Sequence, residues 1–168
     1  MDKSKVLELA PKQLDRVLSF FARVEAKASF IFAINSALLG ALALHVERSD
    51  FTDWRRYLAL GAAAVGLATS FYYVYRCSFP ALSGGHQSLI YFKEIAKLRE
   101  QTFVKSFRDL EEDEYVDDLL SQTWRNSQIL TEKFRTVKIA FIATALTLLP
   151  WSVYLAPASM SHLLLPLH

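Results

Sequence analysis

The chain has 168 residues, of which 52% are apolar and 21% charged, with a mean hydropathy of +0.19. A net charge of +2 argues against bulk nucleic-acid binding, and a single cysteine, Cys77, excludes an internal disulfide and a cysteine-rich metal centre. Apolar and charged residues fall in separate blocks rather than alternating on helix faces, the pattern of a membrane protein with aqueous segments.

The first predicted element is at residues 11–29. Leu14, Val17, Leu18, Phe21, Val24 and Ala28 recur at helical spacing and predict an amphipathic helix leading into the first charge-free block. That block, Ala28 to Val46, has no Asp, Glu, Lys or Arg over nineteen residues. The second, Tyr57 to Tyr75, has the same length, and the third runs from Ile139 to Ala156 with Pro150 inside. About 20 residues of helix cross a hydrocarbon core of about 30 Å. The three blocks therefore predict an all-α membrane protein with spans at about 28–46, 57–75 and 138–156. A cytoplasmic helical extension, about 80–137, lies between the second and third, and residues 1–168 form a single domain.

Basic residues set the expected orientation. Lys3, Lys5, Lys12, Arg16, Arg23 and Lys27 precede the first block, and ten Lys or Arg lie between the second and third with their flanks. Arg48, Arg55 and Arg56 lie in the first loop, and none follows Ala156. By the positive-inside rule the N-terminus and the middle segment are cytoplasmic and the C-terminus is outside, periplasmic for a bacterial inner membrane. Trp54 and Trp151 stand where interface anchors stand, and Tyr72, Tyr73 and Tyr75 read either as such anchors or as lipid-facing bulk.

Pro80 closes the second span, because proline cannot extend a helix smoothly. Residues 80–86 read as a turn, and a helix is expected from His86, with Leu89, Phe92, Ile95, Phe103, Phe107 and Leu110 on one stripe. Asp109 with Glu112 resembles a capping box. The helix it opens has no stop before the third block, so it is expected to run on through the membrane.

Few residues carry the signature of chemistry. The acidic run from Asp109 to Asp118 contains the i,i+4 pairs Asp113/Asp117 and Glu114/Asp118, which read better as a solvated helix N-terminus than as cation ligands. The four histidines are scattered without metal-ligand spacing, and no nucleophile–base pair is evident. The expectation is a non-enzyme without a resident cofactor or metal. His86, Lys93, Lys97 and Arg99 are the candidates for receiving an anionic ligand. Asn35, inside the first span, either bonds to a neighbouring helix or lines a water path. Ser36-x-x-x-Gly40 and Ala62-x-x-x-Gly66 are small-x-x-x-small patterns, so Asn35, Ser36, Gly40 and Gly66 are the candidate packing positions.

Four stretches carry a resemblance: "EAKASFIFAINSALLGAL", "SFPALSGGHQSLIYF", "LLSQTWRNSQILTEKF" and the final span, covering about Glu25 to Leu155. In that order and spacing the chain resembles the membrane-spanning effectors of Pycsar, a bacterial pyrimidine-cyclase antiphage system. Lys27, Asn35, Pro80, Ser88, Tyr91, Phe92, Ser127 and Lys133 are the aligned motif positions. The resemblance implies an activating ligand, cyclic UMP or cyclic CMP, made by a partner cyclase. It also implies an inner-membrane homo-oligomer that impairs the bilayer and causes abortive infection. The alternative is a non-killing membrane scaffold that anchors a partner protein.

Overall fold

A computed structural model describes residues 3–46, 53–79 and 87–163, with side chains up to Leu155. Five helices form in order: α1 (Lys3–His45), α2 (Trp54–Ser78), α3 (Phe92–Ile95), α4 (Glu100–Arg108) and α5 (Glu112–Leu163). No strand occurs among the described residues. The first amphipathic segment and the first span are thus one helix, and the acidic start and the last span are another.

The chain divides into two compact units, residues 1–24 with 80–132 and residues 25–79 with 133–168. In the second unit the buried positions of α1 are Ala28, Ile31, Asn35, Leu38 and Leu42. They advance by three and four residues, the 3.5-residue period of knobs-into-holes packing. On α5, Val137, Ala140, Thr144, Thr147 and Tyr154 keep the same period. On α2 the inward positions are Ala59, Ala63, Leu67, Ser70, Val74 and Cys77.

Cross-helix contacts fix the directions. Lys133 Nζ donates to Glu25 Oε1 at 3.1 Å, Thr144 Oγ1 to Asn35 Oδ1 at 2.9 Å, and Tyr154 Oη to the His45 carbonyl at 2.9 Å. The pairs advance together along both helices, so α1 and α5 run parallel here. On α2 the order reverses: Cys77 meets the Lys133 carbonyl, whereas Ala59 and Ala63 cluster with Leu42 and Tyr154. Three crossings of alternating direction result.

Each of α1, α2 and α5 contains a window long and apolar enough to cross a membrane, yet only 22%, 28% and 28% of these windows is buried. Phe30, Phe32, Leu58, Val65, Leu146, Leu149 and Val153 all point outward. Such an apolar surface far exceeds the patches tolerated on soluble monomers. Its solvent is the bilayer.

In the first unit α1 packs on the start of α5 through Ala10, Leu14 and Leu119, with Ile90, Tyr115 and Val116 around them. Lys3 pairs with Asp113 at 2.6 Å, and this hydrogen bond, with the charge of Asp113, raises the lysine pKa above its ordinary value. The helix expected from His86 is resolved differently. His86 and Pro80 lie outside the described residues, and the stripe is broken up: Phe92 and Ile95 are in α3, Phe103 and Phe107 in α4, and Leu89 and Leu110 in neither. The Lys97 and Leu98 amides bond three residues back, to Glu94 and Ile95, which tightens and ends α3. Arg99 then turns to extended backbone (ψ 145°) before α4 begins. Asp109, expected to cap α5, instead ends α4 by donating its amide to the Lys105 carbonyl.

Candidate functional site

The polar interior of the three-span unit is built from one amide and two hydroxyls. Asn35 is completely buried. Its Nδ2 donates to Ser70 Oγ at 2.7 Å, and its Oδ1 accepts from Thr144 Oγ1 at 2.9 Å. Ser70 and Thr144 lie 2.8 Å apart. With Ser70 as donor to Thr144, the three side chains close a ring in which every member donates and accepts. The Ala140 carbonyl, 3.0 Å from both hydroxyls, is a second acceptor at the same place.

Why the ring forms here follows from the chain. Asn35 is the one amide in the first charge-free block, and it lies on the inward seam rather than on the lipid face. In hydrocarbon an unpartnered amide costs several kcal/mol, so its position forces partners onto the facing helices. A serine or threonine is a tolerable partner in a span because its hydroxyl can fall back on a carbonyl of its own helix, as Thr144 does with Ala140 and Thr147 with Ala143. No buried side-chain nitrogen or oxygen among the described residues lacks a hydrogen-bond partner. No water path is needed to satisfy Asn35.

The other packing candidates separate into two groups. Gly66 faces α5: a Cβ there would lie 2.1 Å from Thr147 Oγ1 and 3.2 Å from Thr147 Cβ. The missing side chain lets α2 lie against Thr147 of α5. Gly40 has nothing within 4 Å of its would-be Cβ, and Ser36 lies on the exposed side with its hydroxyl on the Phe32 carbonyl. Asn35 and Gly66 therefore pack the chain against itself, and Ser36 and Gly40 face outward.

At one end of the spans lies a buried lysine. The Lys133 side chain is 4% exposed and pairs with Glu25, which is 58% exposed. The carbonyl of Lys133 receives the Cys77 thiol and the Thr136 hydroxyl.

In the first unit Asp118 organises the entry to α3. It accepts from Ser88 Oγ at 2.9 Å and from the Leu89 amide at 3.0 Å. Ser88 Oγ accepts in turn from the amides of Ile90 and Tyr91. Gln87, just before, holds φ at 61°, the left-handed region. The adjoining open groove, about 1000 Å³, is lined by Glu114, Asp117 and Asp118 together with Trp124 and Arg125. Of the anion-ligand candidates, Lys97 pairs with Glu94, Arg99 precedes α4, and Lys93 lies exposed on α3; none of the three lines this groove. His86 lies outside the described residues. No group of three or more potential metal ligands occurs among the described residues.

Sequence reasoning missed Ser70, Thr144, Asp118 and the burial of Lys133. The Asn35 seam, with Ala28, Ile31, Leu38 and Leu42 at three- and four-residue spacing, was a usable signal that this amide faces inward.

An apolar outer surface around an interior whose buried polar side chains are all hydrogen-bonded among the described residues, joined to a second helical unit, defines a three-span helical membrane protein. A family model described as the Pycsar effector protein domain matches residues 9–158. The chain belongs to this family of antiphage defence effectors. No curated protein and no solved structure matches it.

Proposed function

We propose that the chain is a non-enzymatic effector of the inner membrane that responds to a cyclic pyrimidine nucleotide, cyclic UMP or cyclic CMP, supplied by a partner cyclase. It then oligomerises and impairs the membrane, so that the infected cell dies. What supports this reading is family membership over residues 9–158 of a chain with three spans. The excess of Lys and Arg before the first span and between the second and third supports an N-terminus and middle segment in the cytoplasm, where the cyclase product is made.

The internal bonding bears on mechanism. Among the described residues every buried side-chain polar group is satisfied, and the outward face of the spans is largely apolar. Damage therefore requires a second arrangement, reached through outward positions such as Ser36 and Gly40 or by opening the interior. A ligand drives the change only by binding the active arrangement better, and about 10⁴-fold better to invert a 1:99 population. Lys93, Lys97, Arg99 and His86 remain the candidate anion contacts. A phosphate reaching Lys97 meets an ammonium already paired with Glu94 and must share or displace that carboxylate.

The test is dye release from liposomes holding the inserted protein, titrated with cyclic UMP, cyclic CMP, cyclic AMP and cyclic GMP. Release with a pyrimidine ligand alone supports direct sensing. Silence with all four counts against it. The acidic groove beside exposed Trp124 favours one second reading, a scaffold that holds a basic segment of a partner protein. That reading requires a stable partner and no leakage at any ligand concentration.

A further inference from the structure

We infer that the groove at the lysine-bearing end of α1 and α5 is a binding site for one anionic phospholipid. The groove, about 710 Å³, lies within the three-span unit and has the size of a small-molecule site, roughly 300–1,000 Å³. Its walls are almost entirely apolar, with Phe30, Ile31, Phe134 and Phe141 among them, and its charged lining residues are Lys27 and Lys138. No carboxylate is among the described residues that line it.

The placement of the two lysines decides the occupant. Lys27 is the last charged residue before the first charge-free block, and Lys138 the last before the third. Because α1 and α5 run parallel there, both ammonium groups belong to the same end of the spans, at the depth where phosphates sit. Lys27 Nζ stands 5.5 Å from the centroid of the Phe134 ring, so its charge lies against the groove wall. Phe30 and Phe141, 66% and 60% exposed, continue the wall onto the surface that faces hydrocarbon. A ligand that fits must join a negative headgroup to an acyl chain. The groove between α2 and α5 has no charged lining, and the large groove of the first unit is acidic. The groove lined by Val6, Leu9, Lys12 and Arg16 shares the combination, but its residues lie outside the charge-free blocks and Lys12 is paired with Glu8. The inference rests on membrane insertion and is independent of the response to cyclic nucleotides.

Native mass spectrometry of the purified chain, in micelles doped equally with phosphatidylglycerol and phosphatidylcholine, tests it. The expected result is retention of one phosphatidylglycerol per chain in preference to phosphatidylcholine. Each lysine is worth roughly 5-fold near a membrane surface, so Lys27→Gln with Lys138→Gln lowers that preference about 30-fold. The charge-matched Lys5→Gln with Lys105→Gln leaves it unchanged. Equal retention of the two lipids by the native chain overturns the inference, as does an equal loss in the control variant. Displacement of the lipid by millimolar inorganic phosphate or cyclic UMP also overturns it, by assigning the groove to a soluble anion.

Discussion

Replacing Asn35 by alanine removes the two hydrogen bonds that its amide makes to α2 and α5. Hydrogen bonds between membrane helices average ~0.6 kcal/mol and reach ~1.7. Two of them set a loss of about 1–3 kcal/mol, to which the vacated volume adds. Ser70 and Thr144 stay paired with each other and with the Ala140 carbonyl, so neither is orphaned, which keeps the cost in this range. The Asn35–Thr144 side of the ring is tested by a double-mutant cycle. Asn35→Ala and Thr144→Val, singly and together, are unfolded reversibly in mixed micelles and followed by far-UV circular dichroism. A closed ring predicts a coupling energy of about 0.6–1.7 kcal/mol. Additivity within ~0.3 kcal/mol would refute it. In cells, Asn35→Leu is expected to impair killing while insertion survives, if the three-helix arrangement is the state from which activation starts.

Gly66→Ala drives a methyl group into Thr147 and is expected to cost about 1–3 kcal/mol in the same unfolding assay. Thr147→Ala should relieve most of that cost, whereas Gly40→Ala, with open space, should leave unfolding unchanged. Gly40→Leu should spare the fold and lower killing if identical chains meet on that face, which a colony-survival assay reads. Glu25→Ala removes a carboxylate partner from a buried ammonium and should destabilise more than Glu25→Ala combined with Lys133→Met, the reverse of simple addition. In the first unit, Asp118→Ala leaves Ser88 and the Leu89 amide short of an acceptor and should cost ~1–3 kcal/mol, seen as faster hydrogen exchange at residues 88–91. Gln87→Gly relieves the left-handed backbone and should stabilise the same turn by up to ~1 kcal/mol.

Spans were legible because charge is expensive in hydrocarbon: the stretches without Asp, Glu, Lys or Arg fall within α1, α2 and α5. The continuity of α5 was legible too, since nothing between Val116 and Ile139 stops a helix. The break after Ile95 was not, because neither proline nor glycine marks it; an i→i+3 turn does the work. The partners of Asn35 were hidden for another reason. Ser70 and Thr144 lie 35 and 109 residues away, and hydroxyl residues occur in every span, so no local pattern distinguishes them. Lys133 reads as one more basic residue in a charged stretch until Glu25, 108 residues earlier, is brought beside it.

The ring also has a timetable. Its three members belong to three successive spans, and synthesis proceeds from the first to the last. At about 5–20 residues per second, the 109 residues from Asn35 to Thr144 take roughly 5–20 s to make. For that interval the first span holds an amide whose set of partners is incomplete, and Ser70, arriving earlier, is its only ring partner. Sealing the interior thus waits for the last helix, and a chain interrupted before Thr144 carries an unsealed polar group in the bilayer.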